Sequence, residues 1–318
     1  MGGKVTCTLG EVKNRADFII YWGGNPADCH PLHFSRYTLT PKGKHVPEGR
    51  KGRTMVLVDV RETPSARHAD ILLQVKPGKD FEVVTAMRAL VKNQPVDAAR
   101  VAETGLSLEQ LQDFVDRMKN ARFGVLFFGM GLSMTRGKHM NSAAVLALVA
   151  ELNAYTKFVS MPMRGHGNVT GADVVMRWTT GFPFGVSLSR GYPRFNPGEF
   201  STIDVLVRGD NDATLILGAD PGATMPQPAI DHLARTPTIV LDPKVTHTSH
   251  LARVHITTAT TGVSAPGTVY RMDEIPLPLK PILDSPYPTD EEVIHRILEK
   301  VKEKPAWEPA SYKEVPCA

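Results

Sequence analysis

The sequence has little cysteine and no long apolar run. Among its 318 residues are Cys7, Cys29 and Cys317 alone, far apart, none in a C-x-x-C pair and none joined to a histidine at metal-ligand spacing. Reduced thiols are expected, without an iron–sulfur or zinc motif. No stretch approaches the ~20 apolar residues of a membrane span, and Met1 to Cys7 holds no apolar signal core, so the cytoplasm is the default and no membrane partner is expected. Charge of one sign is scarce too. Lys and Arg number 37 against 33 Asp and Glu, a net +4, too mild to argue for nucleic acid.

What is present is 42% hydrophobic residue, enough for two packed domains, punctuated by 26 glycines and 25 prolines. Phe18-Ile19-Ile20-Tyr21-Trp22 reads as a strand buried on both faces. Gly23-Gly24-Asn25-Pro26 ends it in a tight turn, and proline suits the first turn of a helix. Leu215 to Pro221 repeats the pattern with Gly218, Asp220 and Pro221. A second strand, Met55 to Asp59, has its twin in Thr238 to Asp242. Aligned on Asp59 and Asp242, the pairs Arg61/Lys244, Thr63/Thr246, Ser65/Thr248 and Ala69/Ala252 coincide, which a duplicated αβ unit explains. Carboxylates ending such strands are common in dinucleotide-binding folds. The expected fold is therefore α/β, with two Rossmann-like αβα units and mostly parallel sheets. Its domains are residues 1–165, residues 166–270, and a linker with C-terminal helix over 271–318.

Other segments carry weaker signals. Residues 1–17 end as a polar stretch before the first strand. His30 and His33 can share a helical face, with packing favoured over a metal site. The loop 42–53 holds Lys42, Lys44, Arg50, Lys51 and Arg53, a solvated connection or a docking surface for an acidic partner. Helices are expected over 80–92, over 107–119 behind a Ser107-x-x-Gln110 capping box, and over 140–152. Gly129-x-Gly131 after an apolar run is a phosphate-loop signal on its own weak. Met161 to Asp173 gathers three glycines around Arg164, His166 and Asn168, a ligand-facing loop or a crossing between domains. Residues 178–200 read as an apolar loop packed on something, and 262–288 as loop and linker. Thr289-x-x-Glu292 caps a last helix with Ile294, Ile297, Leu298 and Val301 on one face.

These motifs resemble a known family. Gly24-Asn25-Pro26, Val58-Asp59-x-Arg61-x-Thr63, Pro77-Gly78-x-Asp80, Gly129-Met130-Gly131, Arg164-Gly165-x-Gly167-Asn168 and Gly218-x-Asp220-Pro221 follow in the order seen in molybdopterin and tungstopterin oxidoreductases of the formate dehydrogenase type. Phe127 to His139, Met161 to Asn168, Ser189 to Arg194 and Gly267 to Asp273 are similar to the B-type subunit of formylmethanofuran dehydrogenase. The likeness runs from about Gly10 to Val301.

The resemblance implies a cleft for pterin guanine dinucleotides. One would lie on Gly24, Asn25, Pro26, Asp59, Arg61 and Thr63, and the other on Gly218, Asp220, Pro221 and Asp242. Gly129, Gly131, Arg164 and Gly165 stand nearby, Arg164 at the position of a substrate-facing arginine. Family enzymes carry their iron–sulfur cysteines and metal-ligating Cys or selenocysteine upstream of the segment matching Gly10, and nine residues precede it here. The expectation drawn from this is a shortened subunit with no catalytic residue, no metal ligand and no bound cofactor, its cleft ancestral. It would be a structural member of the formyltransferase/hydrolase complex of methylotrophic bacteria, beside amidohydrolase-like, formyltransferase-like and further structural subunits. That complex takes formyl groups from tetrahydromethanopterin through a methanofuran-type carrier to formate, and basic loops would guide an acidic polyglutamyl carrier. The alternative is a chain that binds tungsto- or molybdopterin guanine dinucleotide.

Overall fold

The computed structural model describes residues 5–137, 139–165 and 167–304. The chain divides into two compact units. One runs to Gly171 and includes Tyr270–Pro276, and the other comprises Ala172–Val269 and the chain from Leu277. The sequence places these boundaries at 165 and 270.

The first unit opens with α1 (Leu9–Arg15), whose N-terminus is closed by a reciprocal Thr8–Glu11 capping box. The helix is not the purely polar segment expected, because Leu9 and Val12 are buried. β1 (Phe18–Trp22), β2 (Thr54–Asp59), β3 (Ile71–Gln74), β4 (Phe123–Phe128) and β5 (Lys157–Pro162) form a parallel sheet in the order β3-β2-β1-β4-β5. Side chains alternate between faces along a strand, so the unbroken apolar run of β1 feeds two cores. Phe18, Ile20 and Trp22 join Val56, Val58 and Leu73 on one face. Ile19 and Tyr21 join Met55 and Leu57 on the other. Each such side chain contributes roughly 1.5–3 kcal/mol when fully buried.

Between the strands lie α2 (Pro26–Cys29), α3 (Asp80–Val91), α4 (Ala98–Ala102), α5 (Leu108–Asn120), α6 (Met130–Ser133) and α7 (His139–Leu152). The Ser107–Gln110 capping box forms as read from the sequence, and Leu111, Phe114, Val115 and Met118 of α5 face the core. Trp22 Nε1 donates to Asp80 Oδ1 at 2.8 Å, tying the end of β1 to the start of α3.

The basic loop 42–53 is in part an internal device. Arg53 is 4% exposed, and its guanidinium donates to the carbonyls of Val12, Lys13, Ala16, Thr38 and Pro41 over 2.7–3.4 Å. It thereby caps the C-terminal end of α1, where a cation is favoured. Arg50 pairs with Asp70 at 2.8 Å and donates to the carbonyls of Arg53 and His68. Two of the five cations offered as a docking surface are thus occupied within the fold.

The expected Gly-rich loop over 161–173 is shorter than read, because α8 (Val169–Thr180) begins inside it. Asn168 takes φ +57° before the helix. A Cβ on Gly171 would fall within 3 Å of the Asn168 side chain, so glycine makes room for it. Asn168 Oδ1 accepts from the Tyr270 amide at 2.8 Å, fastening the 270–276 segment. The same segment places Asp273, which accepts from the Leu9 amide at 2.7 Å.

The second unit holds the two-residue strands β6 (Val186–Ser187) and β7 (Arg194–Phe195), paired antiparallel, with Phe182 stacked on Phe195 at 5.2 Å. Within the segment 178–200, Phe182 and Phe184 thus pack on Phe195, while Trp178, Leu188 and Tyr192 are exposed. After α9 (Thr202–Arg208), a parallel sheet of β8 (Thr214–Leu217), β9 (Thr238–Leu241) and β10 (Val254–Ile256) runs in the order β10-β9-β8. α10 (Pro221–Thr224), α11 (Gln227–Arg235) and α12 (His247–Leu251) connect these strands. Leu206, Ile216, Ala229, Leu233 and Val240 form the core. β11 (Gly267–Tyr270) and β12 (Pro276–Leu279) pair within the stretch read as loop. α13 (Asp290–Lys302) starts at the expected Thr289–Glu292 capping box. No described helix is long and apolar enough to cross a membrane.

Candidate functional site

In an open parallel sheet, ligands bind outside the strand C-termini where the strand order reverses, here between β1 and β4. Four glycines meet at that point. Gly23 stands at φ +57° and donates to Val58 O at 2.9 Å. Gly129 N donates to Trp22 O at 2.9 Å and Gly131 N to Gly23 O at 2.8 Å. A Cβ on Gly131 would lie 2.7 Å from Gly23 O, and one on Gly129 would lie 2.8 Å from Gly24 Cα. Gly129-x-Gly131 is a weak phosphate-loop signal in the sequence, and in the structure both amides hold the two turns together. Glycine serves there for backbone contact.

The amides of Gly24 and Asn25 have no acceptor among the described residues. The Asn25 side chain is a strut. Its Oδ1 accepts from Ser65 Oγ at 2.6 Å and from Ser65 N at 3.3 Å, while Ala27 N donates to Ser65 Oγ at 3.1 Å. Pro26 is buried at the start of α2. Asp59 Oδ1 accepts from the Val60 and Arg61 amides, and the Arg61 side chain is exposed. Thr63 is 7% exposed, and its Oγ1 has no partner among the described residues. Arg164 is half-buried and Gly165 exposed, just beyond the end of β5. His30 Nε2 lies 2.9 Å from Arg164 O and Nδ1 lies 3.0 Å from Cys29 Sγ. His166 lies outside the described residues.

The second unit repeats the strut and the open turn. Gly218 takes φ +55° and donates to Leu241 O at 2.9 Å. Asp220 Oδ1 accepts from Thr248 Oγ1 at 2.6 Å and Thr248 N at 2.8 Å, while Gly222 N donates to Thr248 Oγ1 at 2.9 Å. The amides of Ala219 and Asp220 are without an acceptor among the described residues. Pro221 is buried at the head of α10, and Asp242 Oδ1 accepts from Lys244 N at 3.0 Å. Partial burial opposes ionisation of Asp220, but the hydrogen bonds from Thr248 and His247 outweigh it and hold the carboxyl at about 2.

Gly23, not Gly24, is thus the counterpart of Gly218, and Ser65 and Thr248 are the residues that fix both turns. The sequence pairs Ser65 with Thr248, yet both stand outside the site read from it. Their signal was that pairing beside an Asn or Asp whose short side chain reaches another backbone turn.

His33 belongs to a packed polar ring. Thr38 Oγ1 donates to His33 O at 3.2 Å and accepts from Tyr21 OH at 2.8 Å, and Tyr21 lies 2.7 Å from His33 Nδ1. With Thr38 and Tyr21 so committed, the proton belongs on Nδ1 and Nε2 is bare. Burial, aided by neighbouring His30, pushes His33 down to about 3. A folded value below the ordinary 6.5 means the unfolded chain takes up the proton first, so stability is lost as pH falls from about 6.5 toward 3, on the order of a few kcal/mol. Urea unfolding of His33→Asn between pH 7 and about 4.5 should show a flatter pH dependence than the wild-type chain. The lowered carboxyls of Asp70, Asp220, Asp273 and Glu151 keep a slope below that window.

Parallel sheets whose strands end in glycine turns leading into helices make this an α/β protein of Rossmann-like units. No protein-family model matches the chain. It is 50% identical over 303 residues to the B-type subunit of tungsten-containing formylmethanofuran dehydrogenase 2 of Methanocaldococcus jannaschii, covering 95% of this chain and 69% of that one. The protein of the same description in Methanococcus maripaludis is 45% identical over the same share. The chain belongs to the family of formylmethanofuran dehydrogenase B-type subunits. In structure it is similar to the formyltransferase/hydrolase complex of Methylorubrum extorquens solved with methylofuran, with a TM-score of 0.73 at 20% identity over 95% of this chain and 79% of that chain. It is also similar to acetylene hydratase of Pelobacter acetylenicus, with a TM-score of 0.64 at 12% identity over 92% of this chain and 49% of that chain.

Proposed function

We propose that this chain supplies the dinucleotide-binding part of a tungsten-containing formylmethanofuran dehydrogenase acting in one-carbon metabolism. The observation that carries this reading is the repeated turn, with the Gly24 and Asn25 amides open in one copy and those of Ala219 and Asp220 in the other. Such amides fit a pyrophosphate, and the partnerless, buried Thr63 Oγ1 is a further polar atom at the first turn. Identity of 50% to a tungsten-containing member, against 20% to the formyltransferase/hydrolase structure, favours this over the non-catalytic scaffold.

The cofactor, when bound, supplies two-electron redox chemistry at the formyl carbon. This chain's residues bind and orient: backbone amides of the two turns donate to pyrophosphate, Thr63 donates a hydroxyl, and Asp59 and Asp242 accept from guanine or ribose donors. The side chains of Asn25 and Asp220 set the turn and are not ligands in this reading. Arg164 adds a cation beside the first turn. Its partners would be further subunits of the same enzyme complex, and the exposed cations Lys42, Lys44 and Lys51 suit an acidic polyglutamyl carrier.

The complex carrying this chain, purified from its own cells, is expected to contain stoichiometric tungsten and to release guanine-containing pterin on denaturation, read by elemental analysis and mass spectrometry. A fully assembled complex with neither would sink the proposal and return the chain to the scaffold reading.

A further inference from the structure

Arg164 sits just beyond β5, and the chain after it is open. A Cβ on Gly165 or on Gly167 would meet nothing within 4 Å among the described residues, so packing does not hold these two positions. The hold comes from before Arg164 and from α2. Met163 N donates to Phe128 O at 2.8 Å, and the buried Met163 side chain lies over the first turn, its Sδ 3.1 Å from where a Cβ on Gly24 would stand. His30, the residue that closes α2, takes the next peptide, its Nε2 lying 2.9 Å from Arg164 O. A carbonyl only accepts, so Nε2 carries a proton and Nδ1 of the neutral ring is an acceptor. Its partner is Cys29 Sγ at 3.0 Å, and the same thiol lies 2.9 Å from Asn25 O. The ring is thus set from both sides, the bond at one nitrogen fixing the role of the other. A continuous hydrogen-bonded path joins Asn25, whose backbone amide is open, to Arg164.

We infer that His30 is a positioning residue for Arg164. By donating to the Arg164 carbonyl it fixes the base of that side chain relative to the open amides of Gly24 and Asn25, so that the cation and the amide pair stand on one frame. Its role at the site rests on the reading of this turn as a pyrophosphate site; the tether itself does not. Gly165 has no Cβ to resist rotation of the peptide it shares with Arg164, so the bond from His30 is what sets that peptide. A long side chain is aimed by where its backbone starts, and a displacement of about 1 Å at a site costs up to roughly 100-fold in rate.

In the isolated full chain, hydrogen exchange at the Met163 amide and tryptic cleavage after Arg164 are expected to quicken about threefold or more in His30→Ala, as loss of one hydrogen bond implies. His30→Asn should behave like the alanine variant and His30→Gln should stay within about twofold of the wild-type chain. The side-chain nitrogen of glutamine replaces Nε2, whereas that of asparagine replaces Nδ1 and does not reach the carbonyl. The two differ by one methylene, so a general loss of folding would strike both and could not produce the contrast. In the purified complex, compared at equal tungsten content, His30→Ala should lower kcat/KM about tenfold or more and His30→Gln should recover most of it. The double variant His30→Ala/Arg164→Ala should be no slower than Arg164→Ala, because His30 acts through Arg164. Unchanged exchange and cleavage in His30→Ala, a glutamine variant as impaired as the alanine one, or fully additive losses would overturn the inference. Exchange and cleavage need neither metal nor pterin. A complex without tungsten would therefore defeat the proposed function and leave the tether to be judged by them, while unchanged exchange and cleavage defeat the tether whatever the metal content.

Discussion

Replacing Arg53 by alanine is expected to lower the unfolding free energy by about 3–5 kcal/mol, read as a fall in the urea midpoint. The guanidinium is almost fully buried and serves five carbonyls, among them Val12, Lys13 and Ala16 at the end of α1. Removing it leaves several of these without a donor, each costing roughly 1–3 kcal/mol where water cannot follow. Arg53→Lys should recover only part of the loss, since an ammonium has three donors and no planar fork. Lys44→Ala in the same loop should fall within about 0.5 kcal/mol of the wild-type chain, because its side chain is exposed. A loss with Arg53→Ala no larger than that of Lys44→Ala would contradict the structural role.

The second large effect is a contrast between twins. Gly23 and Gly218 occupy the same place in the two copies, at φ +57° and +55°. A Cβ on Gly23 would sit 2.9 Å from Gly131 Cα and nearer still to other backbone atoms of Gly131 and Leu132; one on Gly218 would meet nothing within 4 Å. Gly218→Ala therefore isolates the cost of a left-handed backbone, about 1–2 kcal/mol. Gly23→Ala adds a collision with backbone that cannot rotate away, and about 3 kcal/mol or more in total is expected. Equal losses in the two variants, measured by thermal or urea unfolding, would show that the close approach of the β1 and β4 turns carries no weight.

These contrasts mark where the sequence was legible. An apolar run of five such as Phe18–Trp22 can hardly be anything but a strand buried on both faces, and the duplication was visible because paired residues kept their spacing from Asp59 and Asp242. Capping boxes at Ser107 and Thr289 announced their helices by local chemistry alone. Long-range partners left no such trace. Arg53 in a loop of cations looks like its solvated neighbours, since nothing nearby in sequence reveals carbonyls converging from α1 and from Thr38 and Pro41. The start of α8 was hidden by Gly167 and Gly171, the second of which makes room for the Asn168 side chain. Gly24 belongs to the Gly-Asn-Pro motif, whereas the contact that demands glycine falls on Gly23. The open amides leave no trace in sequence either, because whether a turn amide is bonded depends on which distant carbonyls the fold brings to it.

The two struts also differ by one atom of consequence. Where Asn25 bridges to Ser65 with a neutral amide, Asp220 makes the same bridge to Thr248 as a carboxylate that stays ionised down to about pH 2. The first turn has its own carboxylate three residues along: Asp28 accepts from the side-chain amide nitrogen of Asn25, and Ala223 holds the matching place in the second copy. Each turn therefore keeps one negative charge, but by different means. In the second copy the charge is the strut itself, locked to Thr248 and His247; in the first it hangs from the strut's amide, on a side chain that can turn away when an anion arrives.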